Sequence, residues 1–299
     1  MPGLRDLRRK VKSIKSTQQI TKAMKMVAAV RLNRAQTRIL SARPFAEKMK
    51  ELFADLCTLL EKEEKETYSH PFLSPPSGSE GRFGLVVITG DKGLCGAFNT
   101  NVLNKALGFV SERGVEKAVV FPVGKKGRDF FRRTSLRVRE EYVGVFGRLS
   151  FAHAELIGKP VMEAYLREPL GSVYLVYNQF KSLVQQKLVV EKLLPIDLAG
   201  LGSGADHPGT FSRDFDYLYE PEKPRLLDAL IPRFVKAQIF RALLESAAAE
   251  LAARMSSMDQ ATRNASDFIS SLTLTMNKVR QATITKEIAE VVGGAEALK

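Results

Sequence analysis

The chain has 299 residues, 26% of them charged, with a net charge of +13. That length accommodates two domains and a sizeable core, and the excess of cations suits an acidic partner, a nucleic acid or a membrane surface. Cys57 and Cys95 fall in no CxxC or metal spacing, the scattered His70, His153 and His207 make no ligand pattern, and no apolar run approaches the ~18 residues of a bilayer span, which excludes a disulfide scaffold, a zinc site and a transmembrane helix.

The charge is concentrated at the N-terminus, where residues 1–50 carry fourteen Lys/Arg against only Asp6 and Glu47. This stretch lacks an apolar signal core. It is basic and poor in acids, as transit peptides are, but it runs unbroken into a heptad pattern and is read as mature structure. From Leu4 to Ser77 there is no glycine, and Pro44 is the only early proline. Leu4, Leu7, Val11, Ile14, Gln18, Thr21, Lys25, Ala28 and Leu32 open a series of alternating three- and four-residue steps that reaches Leu60. That is a heptad seam on a long helix. The seam turns polar at Gln18, Thr21 and Lys25, where a shift by one position gives Ile20, Met24 and Val27 instead. Such a shift marks a change in winding: either the helix rotates its buried face, or a third body makes contact there. Pro44 should kink or loosen the helix.

Residues 67–82 read as a linker by composition. An α/β pattern follows: a buried strand Phe83–Thr89, a helix from Asn99 to Arg113 capped by Asn99 or Thr100, a strand Lys117–Val123, a turn and short helix to Arg133, and a strand Leu136–Val143. A helix Ser150–Arg167 and two strands, Val173–Asn178 and Lys187–Leu194, complete it. Alternation of strand and helix predicts a mostly parallel open sheet with a late antiparallel edge. Residues 196–224 are a second linker.

From Leu226 the chain is free of glycine until Gly293 and of proline after Pro232. Leu244, Ala248, Leu251, Met255, Met258, Thr262, Ala265, Ile269, Leu272, Met276, Val279 and Thr283 form a second heptad seam. The predicted helix is about 110 Å long at 1.5 Å per residue, too long for one small domain to cover. The fold class expected is therefore mixed α+β and α/β. Residues 1–66 and 225–299 form a long antiparallel two-helix coiled coil, and residues 83–195 form an inserted Rossmann-like open α/β domain. If residue 56 faces roughly residue 230, Leu4 faces about Ala282. The stripe beyond, Ile284, Ile288, Val291, Ala295 and Leu298, has no partner in the chain and must be buried in another protein or stay marginal.

Chemistry is scarce. Thr89-Gly-Asp-Lys-Gly-Leu-Cys-Gly-Ala-Phe-Asn-Thr100 is a glycine-rich strand-to-helix loop of the kind that can hold phosphate. Its glycines, at 90, 93 and 96, match neither GxGxxG nor GxxxxGK[ST], no acid follows at the ribose position, and a tight turn explains it. No histidine is placed to activate Cys95, and Ser203 in its GLGSG linker lacks the strand and helix of a nucleophile elbow.

Four segments carry a resemblance. Ile20-Thr-Lys-Ala-Met-Lys-Met-Val-Ala-Ala29, Gly93-Leu-Cys-Gly-Ala-Phe-Asn-Thr100, Tyr217-Leu-Tyr-Glu-Pro221 and Arg280-Gln-Ala-Thr-Ile-Thr-Lys-Glu-Ile-Ala-Glu290 resemble the gamma subunits of F-type ATP synthases, in order along the whole chain. The resemblance implies a rotor shaft without catalytic residue, metal or cofactor of its own, coupling proton-driven c-ring rotation to ATP synthesis or hydrolysis in an alpha–beta hexamer. It implies that Met24, Lys25, Arg280 and Gln281 contact beta, and that Ile284, Ile288, Val291, Ala295 and Leu298 form a tip borne by the hexamer. Arg43, Pro44, Glu47, Tyr217, Tyr219 and Glu220 would belong to a foot on epsilon and the c-ring. Location on the cytoplasmic face of a bacterial membrane, held there indirectly through the c-ring, follows from the same resemblance. Two other readings compete: a basic coiled coil that tracks nucleic acid phosphates, against which stands the lack of any recognised reading motif, and a nucleotide-dependent enzyme built on residues 83–195.

Overall fold

A computed structural model of the chain describes residues 3–63, 70–79, 81–168, 170–183, 185–196 and 223–296, with the side chains at 43, 45–47, 50–51, 53–63, 223–224 and 296 left aside. An N-terminal helix, a central mixed sheet of Rossmann-like order and a C-terminal helix follow one another, as the sequence pattern requires. Helix α1 spans Leu4–Glu63 and runs through Pro44, and the C-terminal helix, α5, spans Lys223–Glu296. The chain separates into two compact units: residues 1–30 with 254–299, and residues 31–253.

The larger unit is built on five strands: β1 (Phe83–Ile88), β2 (Ala118–Val123), β3 (Arg137–Val138), β4 (Ser172–Phe180) and β5 (Gln186–Leu194). Their order is β3-β2-β1-β4-β5, and only β5 is antiparallel to its neighbour. β1 and β2 are buried at every position, as strands covered on both faces must be. One face packs Phe83, Leu85 and Val87 against Val102, Ala106 and Val110 of α2 (Phe98–Arg113) and Phe131 of α3 (Lys125–Phe131). The other packs Val86, Ile88, Phe121 and Leu175 against Ile157 and Val161 of α4 (Phe151–Arg167) and against Leu227, Ile231, Val235, Ile239 and Leu243 of α5. The start of α5 is therefore part of the α/β core.

Two local expectations are corrected. α2 begins at Phe98, with no side-chain cap on Ala97. Asn99 lies inside the first turn, and its carboxamide oxygen accepts the Gly90 N–H at 2.8 Å, so it braces the preceding loop instead of capping the helix. The strand expected over 136–143 shrinks to Arg137–Val138 plus one bridge between Val123 and Tyr142, because Gly124 N–H donates to the Tyr142 carbonyl and the chain turns there. In α4, Ser150 and His153 make a reciprocal capping box, which accounts for one of the three histidines.

The smaller unit is two helices packed antiparallel. Among its described residues only Leu7, Thr21 and Ala28 of α1 and Met258 and Ala265 of α5 are buried. All five sit on the heptad seams. So small an interior gives little hydrophobic stabilisation, and the helices derive little from it alone.

Candidate functional site

The seam of the two-helix unit does not change face where it turns polar. Thr21 is buried and its hydroxyl meets that of Thr262 at 2.8 Å. One turn on, the Lys25 ammonium donates to the Asp259 carboxylate, which also accepts from Arg263. These contacts set the pairing two to three residues short of the expected register. Polar groups in a coiled-coil seam cost stability and select one register, because a slip leaves each without its partner.

The alternative stripe is on the outside. Ile20 is 57% exposed, Val27 and Met26 are comparably open, and Met24 is half-buried. The shift to Ile20, Met24 and Val27 is thus not a rotation of the buried face. These are apolar side chains left uncovered beside an intact polar seam. Phe268 and Leu274 of α5 are likewise exposed.

From Gln281 to Ala295 every residue of α5 is exposed. Ile284, Ile288, Val291 and Ala295 recur at four- and three-residue steps on one side, and Val291 is 72% exposed. Arg280 and Gln281 stand exposed where this unpaired segment begins. The structure does not bring Met24 and Lys25 together with Arg280 and Gln281: Lys25 is tied to Asp259, about six turns before them along α5. Of the expected foot, Pro44 lies exposed within α1, whereas the side chains of Arg43 and Glu47, and Tyr217, Tyr219 and Glu220 altogether, lie outside the described residues, as do His207, Ser203, Leu298 and the Cys57 side chain.

Asp259 was not singled out from the sequence. Its one legible signal is that it is the lone acid between Glu250 and Asp267. Hydrogen bonds from Lys25 first, then Arg263, hold its carboxyl below the ordinary value of 3.8. The folded state therefore binds fewer protons than the unfolded chain near and below that value. The pair's stabilisation is complete above pH 3.8 and disappears as pH falls through the depressed pKa. We expect Asp259→Asn to flatten the acid limb of the stability curve below about pH 4, read by urea unfolding at a series of pH values; an unchanged limb would show that the ion pair carries no linkage.

The glycine-rich loop is a hub of packing. Thr89, fully buried, donates its hydroxyl to the Val123 carbonyl and accepts the Gly127 N–H. Asp91 accepts the N–H groups of Lys125 and Gly144. Cys95 is 1% exposed and packs with Phe98 and Ala249 of α5. A Cβ at Gly90 would lie 2.8 Å from the Glu250 carboxylate of α5, which would have to move aside to admit it. Among the described residues no cluster of His, Cys, Asp and Glu is arranged to hold a metal, and no helix is long and apolar enough to cross a membrane.

A family model described as ATP synthase matches residues 3–298. The ATP synthase gamma chain of Anaeromyxobacter sp. strain K is 44% identical over 301 residues, with both chains covered completely. That of Pelotomaculum thermopropionicum is 44% identical over 299 residues, again with complete coverage of both. Among solved structures, the central stalk and c-ring assembly of Tetrahymena thermophila mitochondrial ATP synthase contains a chain 26% identical, with a TM-score of 0.58 over 81% of this chain and 99% of that one. A chain of the Euglena gracilis mitochondrial ATP synthase shares the fold at 21% identity, with a TM-score of 0.68 over 99% of this chain and 94% of that one.

Proposed function

The chain belongs to the ATP synthase gamma chain family, and from that premise we propose that it is the central rotor stalk of an F-type ATP synthase. It couples c-ring rotation to ATP synthesis or hydrolysis in the alpha–beta hexamer. The observation that carries this reading is a long two-helix unit with a minimal buried interior, apolar residues on its outside and an unpartnered apolar end. Such a rod is suited to run inside a sleeve. Residues 1–66 with 225–299 act as the shaft, 83–195 as the α/β body of the foot, and 67–82 and 196–224 as connections between them.

In this reading Met24, Lys25, Arg280 and Gln281 meet beta. The arginine offers a planar fork to a carboxylate, and the glutamine both donates and accepts. Ile284, Ile288, Val291, Ala295 and Leu298 form the tip within the hexamer, while Arg43, Pro44, Glu47, Tyr217, Tyr219 and Glu220 meet epsilon and the c-ring. The subunit supplies no catalytic group. An asymmetric rod presents different faces to the three beta subunits in turn, and each site shifts between conformations by differential contact. The complex would sit on the cytoplasmic face of a bacterial membrane, with this subunit attached only through the c-ring. Neither a nucleic-acid-binding coiled coil nor a nucleotide-dependent enzyme finds support in the relatives named above.

The test is co-expression with alpha and beta subunits, purification through a tag on beta, and an ATPase assay of the product. Stoichiometric co-purification with ATPase raised above that of alpha and beta alone is expected; a chain that stays free overturns the reading. In the assembled complex Cys95→Ser is expected to leave ATPase within about twofold, because a buried thiol against Phe98 acts by packing. A loss near a hundredfold would assign the thiol a chemical role.

A further inference from the structure

We propose that Arg241, held by Glu191 and Tyr177, is the pin that stops helix α5 from slipping on the α/β sheet under load. It is a positioning residue for energy transfer, and the proposal rests on the central-stalk reading above.

Adhesion between α5 and the sheet comes from apolar side chains, chiefly Leu227, Ile231, Val235, Ile239 and Leu243. Apolar burial is non-directional. A helix displaced by one turn along its axis offers the sheet a similar ridge of side chains, and one-turn jumps of packed helices are a known mode of motion. Apolar contact therefore holds the helix against separation more firmly than against sliding or turning.

Arg241 supplies what that contact lacks. It is a cation in the middle of an apolar run, Ile239-Phe-Arg-Ala-Leu243, and its side chain is only 28% exposed. One terminal nitrogen, Nη2, lies 2.7 Å from both carboxylate oxygens of Glu191 on β5. The other, Nη1, donates to the Tyr177 hydroxyl on β4 at 3.2 Å, and that hydroxyl donates to Glu191 Oε2 at 2.9 Å. Glu245, one turn along α5, lies 3.6 Å from Nη1, and Nε donates to Gln238 at 3.0 Å.

The guanidinium is thus fixed by two adjacent strands and by its own helix, in a planar geometry that tolerates little rotation. Burial pushes the Tyr177 phenol up, so it stays protonated and able to donate to Glu191. A slip of one turn would strand Glu191 and the cation in a partly desolvated interface. Breaking such a pair costs far more than forming it gains. An interaction of that kind adds little to equilibrium stability and much to uniqueness of register, which is what a part that transmits force requires.

The experiment compares wild type, Arg241→Met, Arg241→Lys and the swapped double variant Arg241→Glu with Glu191→Arg, each assembled in the complete complex and reconstituted in lipid vesicles. ATP hydrolysis is measured with the proton gradient collapsed by an uncoupler, and ATP synthesis is measured against an imposed gradient. Arg241→Met is expected to keep uncoupled hydrolysis per assembled complex within about twofold while synthesis falls about tenfold, with Arg241→Lys between and the swap recovering part of the loss. A residue that matters only for folding would lower yield and melting temperature but leave the ratio of loaded to unloaded rate at the wild-type value. That constant ratio, in Arg241→Met or, where it does not assemble, in Arg241→Lys and the swap, overturns the pin. Failure of the wild-type chain to assemble overturns the stalk reading instead.

Discussion

Gly124→Ala is expected to destabilise the α/β unit by roughly 4 kcal/mol or more, enough to consume much of a typical domain's stability. Gly124 has φ 94 and ψ 146, a backbone region reached almost solely by glycine. A Cβ there would lie 2.1 Å from the Thr89 carbonyl oxygen and 2.9 Å from the Thr89 hydroxyl. Neither side can yield cheaply. Thr89 N–H donates to the Val123 carbonyl, and Gly124 N–H donates to the Tyr142 carbonyl at 2.7 Å, so the clash is held between the C-terminal ends of the adjacent strands β1 and β2. Gly78 provides the control: its φ is +75, but nothing lies within 4 Å of its added Cβ. Gly78→Ala should cost only about 1 kcal/mol, the backbone part of the effect. Urea unfolding followed by circular dichroism measures both. Equal shifts of the two midpoints at constant m would show that the close approach of Thr89 is relieved by local movement and carries no energy.

The parts of this molecule that were legible in the sequence are those set by periodicity. β1 is six apolar or small residues in a row, too short for a helix and bounded by glycines, which marks a strand covered on both faces. The two heptad seams place Leu7, Ala28, Met258 and Ala265 inside the helical pair, where the structure has them. Register was harder, because adjacent heptad pairings differ little in apolar burial. Two polar contacts decide it, Thr21 with Thr262 and Lys25 with Asp259, and each joins residues more than 230 positions apart. The stripe Ile20, Met24, Val27 misleads for a physical reason: apolarity implies burial, but not in which molecule. Arg241 is conspicuous in its apolar run, yet its partners at 177 and 191 lie on strands whose alternation has to be known before their side chains can be aimed at α5. The Asn99 error is of the same kind, since a side chain oxygen at a helix start can satisfy a loop amide as readily as a helix one.

Replacing Ile284, Ile288 and Val291 together by aspartate is expected to leave the melting midpoint of the free subunit nearly unchanged and to disable its assembly. All three side chains are exposed in the chain by itself, so the change removes no internal packing. The melting midpoint should move by no more than the equivalent of about 0.5 kcal/mol, as for other exposed sites. In a complex where this stripe is sheathed, each residue withdraws a large apolar side chain worth ~1.5–3 kcal/mol on full burial, and each new carboxylate adds a desolvation penalty. Contributions at one interface do not sum simply, yet an affinity loss of at least about a hundredfold for alpha–beta assemblies is the modest end of that range. Aspartates near a helix C-terminus also oppose the helix dipole and loosen the last turns of the tip. A triple alanine variant separates the two effects. It preserves helicity and removes only apolar area, so it should still lose about tenfold in affinity by the same area argument. Lys286, paired with Glu290 and highly exposed, is the control position, and Lys286→Gln should bind nearly as wild type. If both triple variants assemble and turn over like wild type, the stripe meets no sleeve, and the tip must be removed from the bearing while the rest of the shaft remains in it.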